Sequence, residues 1–292
     1  METWLSGPIT RRRLIGGTAA LLAAVAIPLF AQSQFFDVPY VPTPEVVVDE
    51  MLKQAGVGPQ DVVYDLGSGD GRIVITAARK FGARAVGVEL DEHLIYQSEE
   101  SARQANVLGR VKFLQQNFFK TDFSEATVVT MYLLPGVMKR LRERMLQLKP
   151  GTRLVAHDFD FDDWRPDRKT TIRKNVFLWI VPAKVDGRWQ VRTGAPGGEF
   201  AFDMELRQKY QELDGFARFD KQPGGLWEPK IEGDRISFVV VDSRDRDNEA
   251  SLYFQGRVTA DSMEGDVVRG AGNQQTRFKW RAVRTAGAAA TK

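Results

Sequence analysis

The segment Asp61-Val62-Val63-Tyr64-Asp65-Leu66-Gly67-Ser68-Gly69-Asp70-Gly71, followed by Ala85-Val86-Gly87-Val88-Glu89, restricts the possible folds more than any other part of the chain. An apolar run enters a glycine-rich turn, a helical pattern follows, and a second apolar run ends on a carboxylate. That order describes a βαβ unit with a nucleotide-type ligand cradled at its turn. The glycines serve the tight turn and the close approach of backbone to ligand.

Charge narrows the ligand. A dinucleotide lays its pyrophosphate against the helix N-terminus, where backbone N–H groups and the helix dipole favour an anion. Here Asp65 precedes the turn, Asp70 lies within it, and Arg72 stands where the dinucleotide fingerprint needs its third glycine. Two carboxylates would repel a pyrophosphate. S-adenosylmethionine has no phosphate and carries an ammonium and a sulfonium, so the same acids attract it. Glu89, at the tip of the second strand, is placed to accept both ribose hydroxyl protons. The expectation is therefore methyl transfer from S-adenosyl-L-methionine, with Asp65, Gly67, Ser68, Gly69 and Glu89 around the donor.

The rest of the chain extends this unit. From Pro42, strands are expected at residues 62–66, 85–89, 111–115, 127–133 and 153–157, with helices at 71–80, 91–106 and 137–147 between them. Such alternation demands a parallel α/β sheet, Rossmann-like, with helices on both faces. Thr43-Pro44 reads as an N-cap followed by proline at the first helical position, opening a further helix with Val47, Met51 and Ala55 on one face and Gly56 as its stop. Strands at 176–181 and 189–192, joined around Asp186-Gly187, would supply an antiparallel edge. Ligands bind beyond the carboxyl ends of such strands, where the glycine turn, Glu89, Asn117 and Leu133-Leu134-Pro135 fall.

The C-terminal part changes period. Phe200, Phe202, Met204 and Leu206 alternate with Ala201, Asp203, Glu205 and Arg207, and similar runs recur at 236–240, 252–254 and 278–282. This indicates an antiparallel meander or small barrel with an apolar interior that is its own core. The expected domains are residues 40–195 for donor binding and 198–285 for the β-rich accessory part, with 286–292 a frayed tail.

Composition excludes other chemistries. The chain has no cysteine and only His93 and His157 among its 292 residues, which removes thiolate and histidine-rich metal sites, so no metal is expected. Its net charge of +3 comes from 41 basic and 38 acidic side chains and implies no nucleic-acid partner. Arg277, Lys279 and Arg281 alternate with apolar residues like a solvated strand face. At the other end, Thr10-Arg11-Arg12-Arg13 precedes an uncharged, apolar run from Leu14 to Ala31. Residues 1–31 thus read as a twin-arginine-type export signal, or as a membrane anchor if uncleaved, with the globular part facing outward. A donor made in the cytosol sits awkwardly with that placement.

At these residues the chain resembles a known family. Pro42-Thr43-Pro44, Asp61 to Arg72, Gly87-Val88-Glu89, Thr127 to Pro135, Leu148-Lys149-Pro150-Gly151 and His157-Asp158-Phe159 are similar to the class I methyltransferases that modify lysine on the mitochondrial adenine nucleotide translocase and ATP synthase c-subunit, with bacterial relatives. The resemblance covers roughly Val41 to Trp189, and Tyr132-Leu133-Leu134-Pro135 is its most specific segment. It implies donor contacts at Asp65, Gly67, Gly69, Glu89 and Asn117, with Pro42 and Thr43 closing over the site. Asn117 departs from the acid expected there, although an amide can still pair with the adenine amino group. It further implies a protein substrate, which a membrane-associated protein would satisfy.

Tyr132-Leu133-Leu134-Pro135 offers neither an Asn-Pro-Pro-Tyr sequence nor acids for a catechol-bound metal. Transfer to a lysine amine needs an in-line approach and a desolvated, neutral nitrogen. Tyr132 and Phe118, with Phe119, could wall the amine, and His157 could accept a proton or orient the acceptor. For Phe118 and Phe119 the sequence favours the core; His157 and Asp158 read equally as a strand end, and Trp164 as packing. A small-molecule methyltransferase of the same fold, or a non-catalytic exported binding module, stand as alternatives.

Overall fold

A computed structural model describes residues 40–195, 198–219, 222–242, 250–269 and 275–285. The expected signal segment 1–31 and the tail 286–292 lie outside the described residues. The described residues form one compact unit.

Its first half is a seven-stranded sheet in the order β3-β2-β1-β4-β5-β7-β6. The strands β1 (Val62–Leu66), β2 (Arg84–Glu89), β3 (Val111–Gln115), β4 (Val128–Met131) and β5 (Arg153–His157) run parallel. All five residues of β1 are buried, as a central strand covered on both faces requires. Alternate side chains divide the core in two. Val63, Ala85, Val128 and Val155 pack with α1 (Glu45–Gln54) and α2 (Arg72–Phe81). Tyr64, Val129, Met131 and Leu154 meet α4 (Pro135–Met145) from the other side. Helix α3 (Glu92–Gln104) starts at Asp91, whose carboxylate accepts the His93 and Leu94 N–H groups, and α4 starts with Pro135 at its first turn, two residues earlier than its apolar pattern indicates.

The antiparallel edge differs from expectation. It is a hairpin of β6 (Arg168–Ile172) and β7 (Lys174–Ile180), turned at Arg173 in the left-handed region, with φ 61°. β7 pairs antiparallel with β5. The strand expected at 189–192 belongs instead to β8 (Gly187–Ala195), which pairs with β9 (Gly198–Lys209) and β15 (Thr276–Arg284). Trp189 and Val191 are fully buried in the second core while Arg188 and Arg192 are exposed, an alternation that suits a barrel wall and not the edge of an α/β sheet. The expected boundary between 195 and 198 therefore falls inside one hairpin, and the second body begins before Gly187.

That second body is a closed antiparallel barrel of eight strands, completed by β10 (Glu212–Phe219), β11 (Gln222–Glu232), β12 (Arg235–Asp242), β13 (Ala250–Thr259) and β14 (Ser262–Arg269). Its interior is filled by side chains. Phe238 stacks on Phe254 at 4.7 Å, and Trp280 meets both edge-on at 5.5 and 5.4 Å. Closure leaves no unpaired edge. The β9–β10 turn fastens the barrel to the first sheet: Trp164 Nε1 donates to Gln211 Oε1 at 2.8 Å, and Tyr210 stacks on the Trp164 ring at 5.5 Å. Trp164 is packing, as its sequence context suggests.

Candidate active site

The glycine turn lies between the carboxyl end of β1 and the start of α2. Asp65, the fourth residue of β1, is 2% exposed. Thr130 of β4 donates a hydrogen bond to its Oδ1 at 2.7 Å, yet burial prevails and pushes the carboxyl up to about 7, with the Glu89 and Asp70 charges adding to the rise. The charged neighbours that act on it are both acids. Ser68, three residues on, is buried with no partner for its hydroxyl. Glu89 closes β2: its Oε2 accepts the Gly69 N–H at 3.0 Å, while Oε1 accepts those of Leu90 and Asp91.

Asp70 takes a different role from the one its position suggests. Both of its oxygens accept from Arg72, at distances from 2.6 to 3.1 Å. Burial alone would raise the Asp70 carboxyl, but the bonds and charge of Arg72 outweigh it and hold the group below the usual range. Its charge is thus matched within the protein, and Asp65 and Glu89 remain to meet a cation. Arg72 also reaches back, donating from Nη1 to the Thr43 carbonyl at 2.9 Å. Tyr40 lies over the turn, and a Cβ placed on Gly69 would come within 2.5 Å of its ring. Gly69 has φ +53°, so both the space and the conformation call for glycine.

Thr43 does not cap α1. Pro44 occupies that position, and its carbonyl accepts the Val47 and Val48 N–H groups. The Thr43 hydroxyl instead lies 3.2 Å from His157 Nδ1 at the end of β5. His157 is 2% exposed and its Nε2 has no partner. Burial lowers its pKa, the neighbouring Asp158 charge opposing and the Lys174 charge adding to the effect. The imidazole is neutral at physiological pH as a result. Tyr132, just past β4, faces His157 with ring centres 4.0 Å apart and stacks on Phe159 at 6.2 Å and 18°. Asp158 between them adopts φ 66° and pairs with Lys174 at 2.9 Å, holding the His157–Phe159 turn.

Of the sequence-predicted residues, Thr43, Tyr132 and His157 meet in one cluster, and Asp65, Ser68, Gly69 and Glu89 in another. The Arg72–Thr43 hydrogen bond joins the two. Gly67 follows β1 with φ +77° and abuts Leu133; Pro42 is exposed beside Thr43. Asn117 is half-buried and its Oδ1 accepts the Phe119 N–H at 2.9 Å, keeping one lone pair. Phe118 stands apart, paired with Phe119 at 4.9 Å and packed on the sheet core; among the described residues no ring contact joins it to Tyr132. Phe159, not Phe118, is the aromatic stacked on Tyr132. Tyr40, Thr130 and Phe159 escape a reading of the glycine loop because each acts through tertiary contact, and Arg72, noted there only for standing in place of a glycine, acts through Asp70 and Thr43. Only Phe159 carried a signal, as the aromatic two residues after His157.

These residues fit S-adenosylmethionine. A buried carboxylate without a cation, an unpartnered buried hydroxyl and a strand-end glutamate over a glycine cradle suit an ammonium-bearing adenosyl group. Asp65 would meet the ammonium and Glu89 the ribose; the bound donor supplies a methyl group on a positive sulfur. Fold and site together define a class I S-adenosylmethionine-dependent methyltransferase.

Comparison with known proteins agrees. The ANTKMT methyltransferase domain matches residues 65–168. A protein-lysine N-methyltransferase of Saccharolobus islandicus is 50% identical over 151 residues, 49% of this chain and 94% of that protein. The ATP synthase c-subunit lysine N-methyltransferase of Xenopus laevis is 36% identical over 156 residues, covering 53% of this chain and 68% of its own. The chain belongs to this family of protein-lysine N-methyltransferases. A solved structure described as an RNA methyltransferase from Salinibacter ruber, in complex with S-adenosyl-L-homocysteine, shares 51% identity over 50% of this chain and 96% of its own, with a TM-score of 0.49.

Proposed function

We propose that this chain transfers methyl from S-adenosylmethionine to the side-chain amine of lysine in a protein acceptor. The observation that carries the reading is His157: neutral, buried, fixed through Nδ1 to Thr43, and unpartnered at Nε2 beside the Tyr132–Phe159 stack. A lysine ammonium must shed a proton before its lone pair can attack. With Nδ1–H donated to Thr43 Oγ1, His157 presents a lone pair at Nε2 to take that proton. The stacked rings favour the incoming cation and the methylated product, and their apolar surroundings lower the amine's pKa. The family membership supports a lysine acceptor over a small molecule.

The first sheet and its helices are read as the catalytic domain and the barrel as an accessory domain. Residues 1–31 are read as a twin-arginine-type segment that exports the chain or tethers it to a membrane, with a membrane-associated acceptor to match. Among the described residues no helix is long and apolar enough to cross a bilayer. Fractionating cells that express the full chain and its Arg11→Lys/Arg12→Lys variant tests this: a soluble cytoplasmic location for both would sink the placement.

For the acceptor, the full chain is incubated with labelled donor and a membrane extract, and modified residues are mapped. Methyl-lysine in protein is expected, with His157→Asn and Tyr132→Ala slowing turnover, Tyr132→Ala at unchanged donor affinity. Label confined to RNA or to small metabolites would overturn the assignment.

A further inference from the structure

The barrel's outer face carries a transverse row of charge that the catalytic site does not use. Register places Arg235 of β12 opposite Arg257 of β13, Arg257 opposite Glu264 of β14, Glu264 opposite Arg281 of β15, and Arg281 opposite Arg192 of β8. All five side chains are exposed, and all line a cleft of about 1050 Å³. Four arginines and one glutamate thus cross five adjacent strands. Like charges directly opposite on neighbouring strands repel and weaken a sheet. Two of the arginines are offset locally, Arg235 by Glu232 at 3.0 Å and Arg257 by Asp234 at 2.6 Å. Arg192 and Arg281 face each other without an ion pair among the described residues, Arg192 reaching only Gln190 at 3.4 Å.

We propose that this row is a docking site for an extended acidic segment of the protein acceptor, an inference that rests on the acceptor being a protein. Guanidinium groups bind carboxylates through paired hydrogen bonds and hold them in a set orientation. At about 4.8 Å between strands, the row spans roughly 19 Å, the length of about six extended residues. Gly256 and Gly265 are cross-strand partners in the cleft, and a Cβ on either would collide with the backbone of the other strand. A concave surface of this kind fits a chain and not a planar bilayer. It also lacks what single-stranded nucleic acid needs, because the aromatic lining the cleft, Trp280, is only 3% exposed and offers no face for a base to stack on. The exposed Trp227 and Tyr253 lie outside it.

The test is fluorescence anisotropy on the full chain, without donor, using a labelled Glu-Ser repeat of about ten residues, a labelled oligouridylate and vesicles containing phosphatidylserine. The peptide should bind and weaken with salt. Arg192→Glu/Arg281→Glu should weaken it roughly tenfold or more. Glu264→Gln, which removes the one anion in the row, should tighten it. Charge reversal at Arg192 and Arg281 sets like charges against each other and against Glu264, and Glu264→Gln removes opposite-charge contacts to Arg257 and Arg281, so both variants should melt slightly below the parent, whereas Arg192→Gln/Arg281→Gln should keep the parent's melting temperature and still weaken the peptide. Preference for the oligouridylate or the vesicles, or an Arg192→Glu/Arg281→Glu variant that binds the peptide as the parent does, would overturn the proposal. Absence of peptide binding sinks the docking row whatever the enzyme methylates; binding without any lysine product sinks the acceptor assignment instead.

Discussion

Replacing Asp65 with asparagine tests the electrostatics of the donor site on the free protein. The carboxyl is 2% exposed, its charged neighbours are acids, and burial pushes its pKa from the usual 3.8 to about 7. Between about pH 4 and 7 the unfolded chain has released a proton that the folded chain retains, so stability falls as pH rises through that window. Above about 7 the full penalty is present. At about 1.4 kcal/mol for each tenfold, the rise corresponds to about 4 kcal/mol, an upper figure because relaxation and water reduce it. Asparagine keeps the volume and can still accept the Thr130 hydrogen bond of 2.7 Å. Asp65→Asn should therefore resist urea better than the parent at pH 8, by about 1–4 kcal/mol, and match it near pH 4. The same variant should lose donor binding, since the ammonium meets an amide in place of a carboxylate. Donor binding to the parent should release a proton at pH 6 and none at pH 9, read from the buffer dependence of the calorimetric heat. Equal urea midpoints at pH 8, with the parent's pH slope retained in the variant, would refute the reasoning.

Other outcomes follow from the same geometry. Glu89→Gln removes the charge that the strand end presents to the ribose and should weaken donor affinity roughly ten- to hundredfold, measured by calorimetry. Gly69→Ala adds a Cβ 2.5 Å from the Tyr40 ring at φ +53° and should lower stability by about 1–2 kcal/mol from the backbone alone; Tyr40→Ala in that background should recover the steric part of the lost donor binding. Thr43→Val leaves His157 Nδ1 buried and unpaired, costing about 1–3 kcal/mol in thermal unfolding and slowing turnover, whereas Thr43→Ser should restore both.

Sequence patterning carried the first sheet well because each central strand is a short apolar run and Asp91 marks the start of α3; the start of α4 at Pro135 was passed over for the apolar pattern two residues on. Arg168–Ile172 gave no such signal. As an edge strand with mostly exposed polar side chains it owes its place to pairing with β7. Trp189–Arg192 was misplaced for the converse reason: alternation announces a strand but not the sheet it joins. The donor side was legible because its acids and glycines are contiguous along the chain. The acceptor side was half legible. Tyr132 and His157 stand out as residue types, but Thr43 as their link, Arg72 as the tie to the glycine turn and Phe159 as the ring stacked on Tyr132 depend on contacts across 114, 29 and 27 positions respectively. The reading of Asp70 failed because its charge partner sits two residues away on a side chain that sequence leaves free to point elsewhere.

Thr43 is gripped from opposite directions, its carbonyl by Arg72 and its hydroxyl near His157. With the donor under residues 40–43 and the amine at the imidazole, as proposed, that segment could not lift from the glycine turn without loosening the imidazole, and the two ligands would be thermodynamic partners. Whatever factor the sulfonium compound adds to capture of the amine, the amine must return to the sulfonium compound.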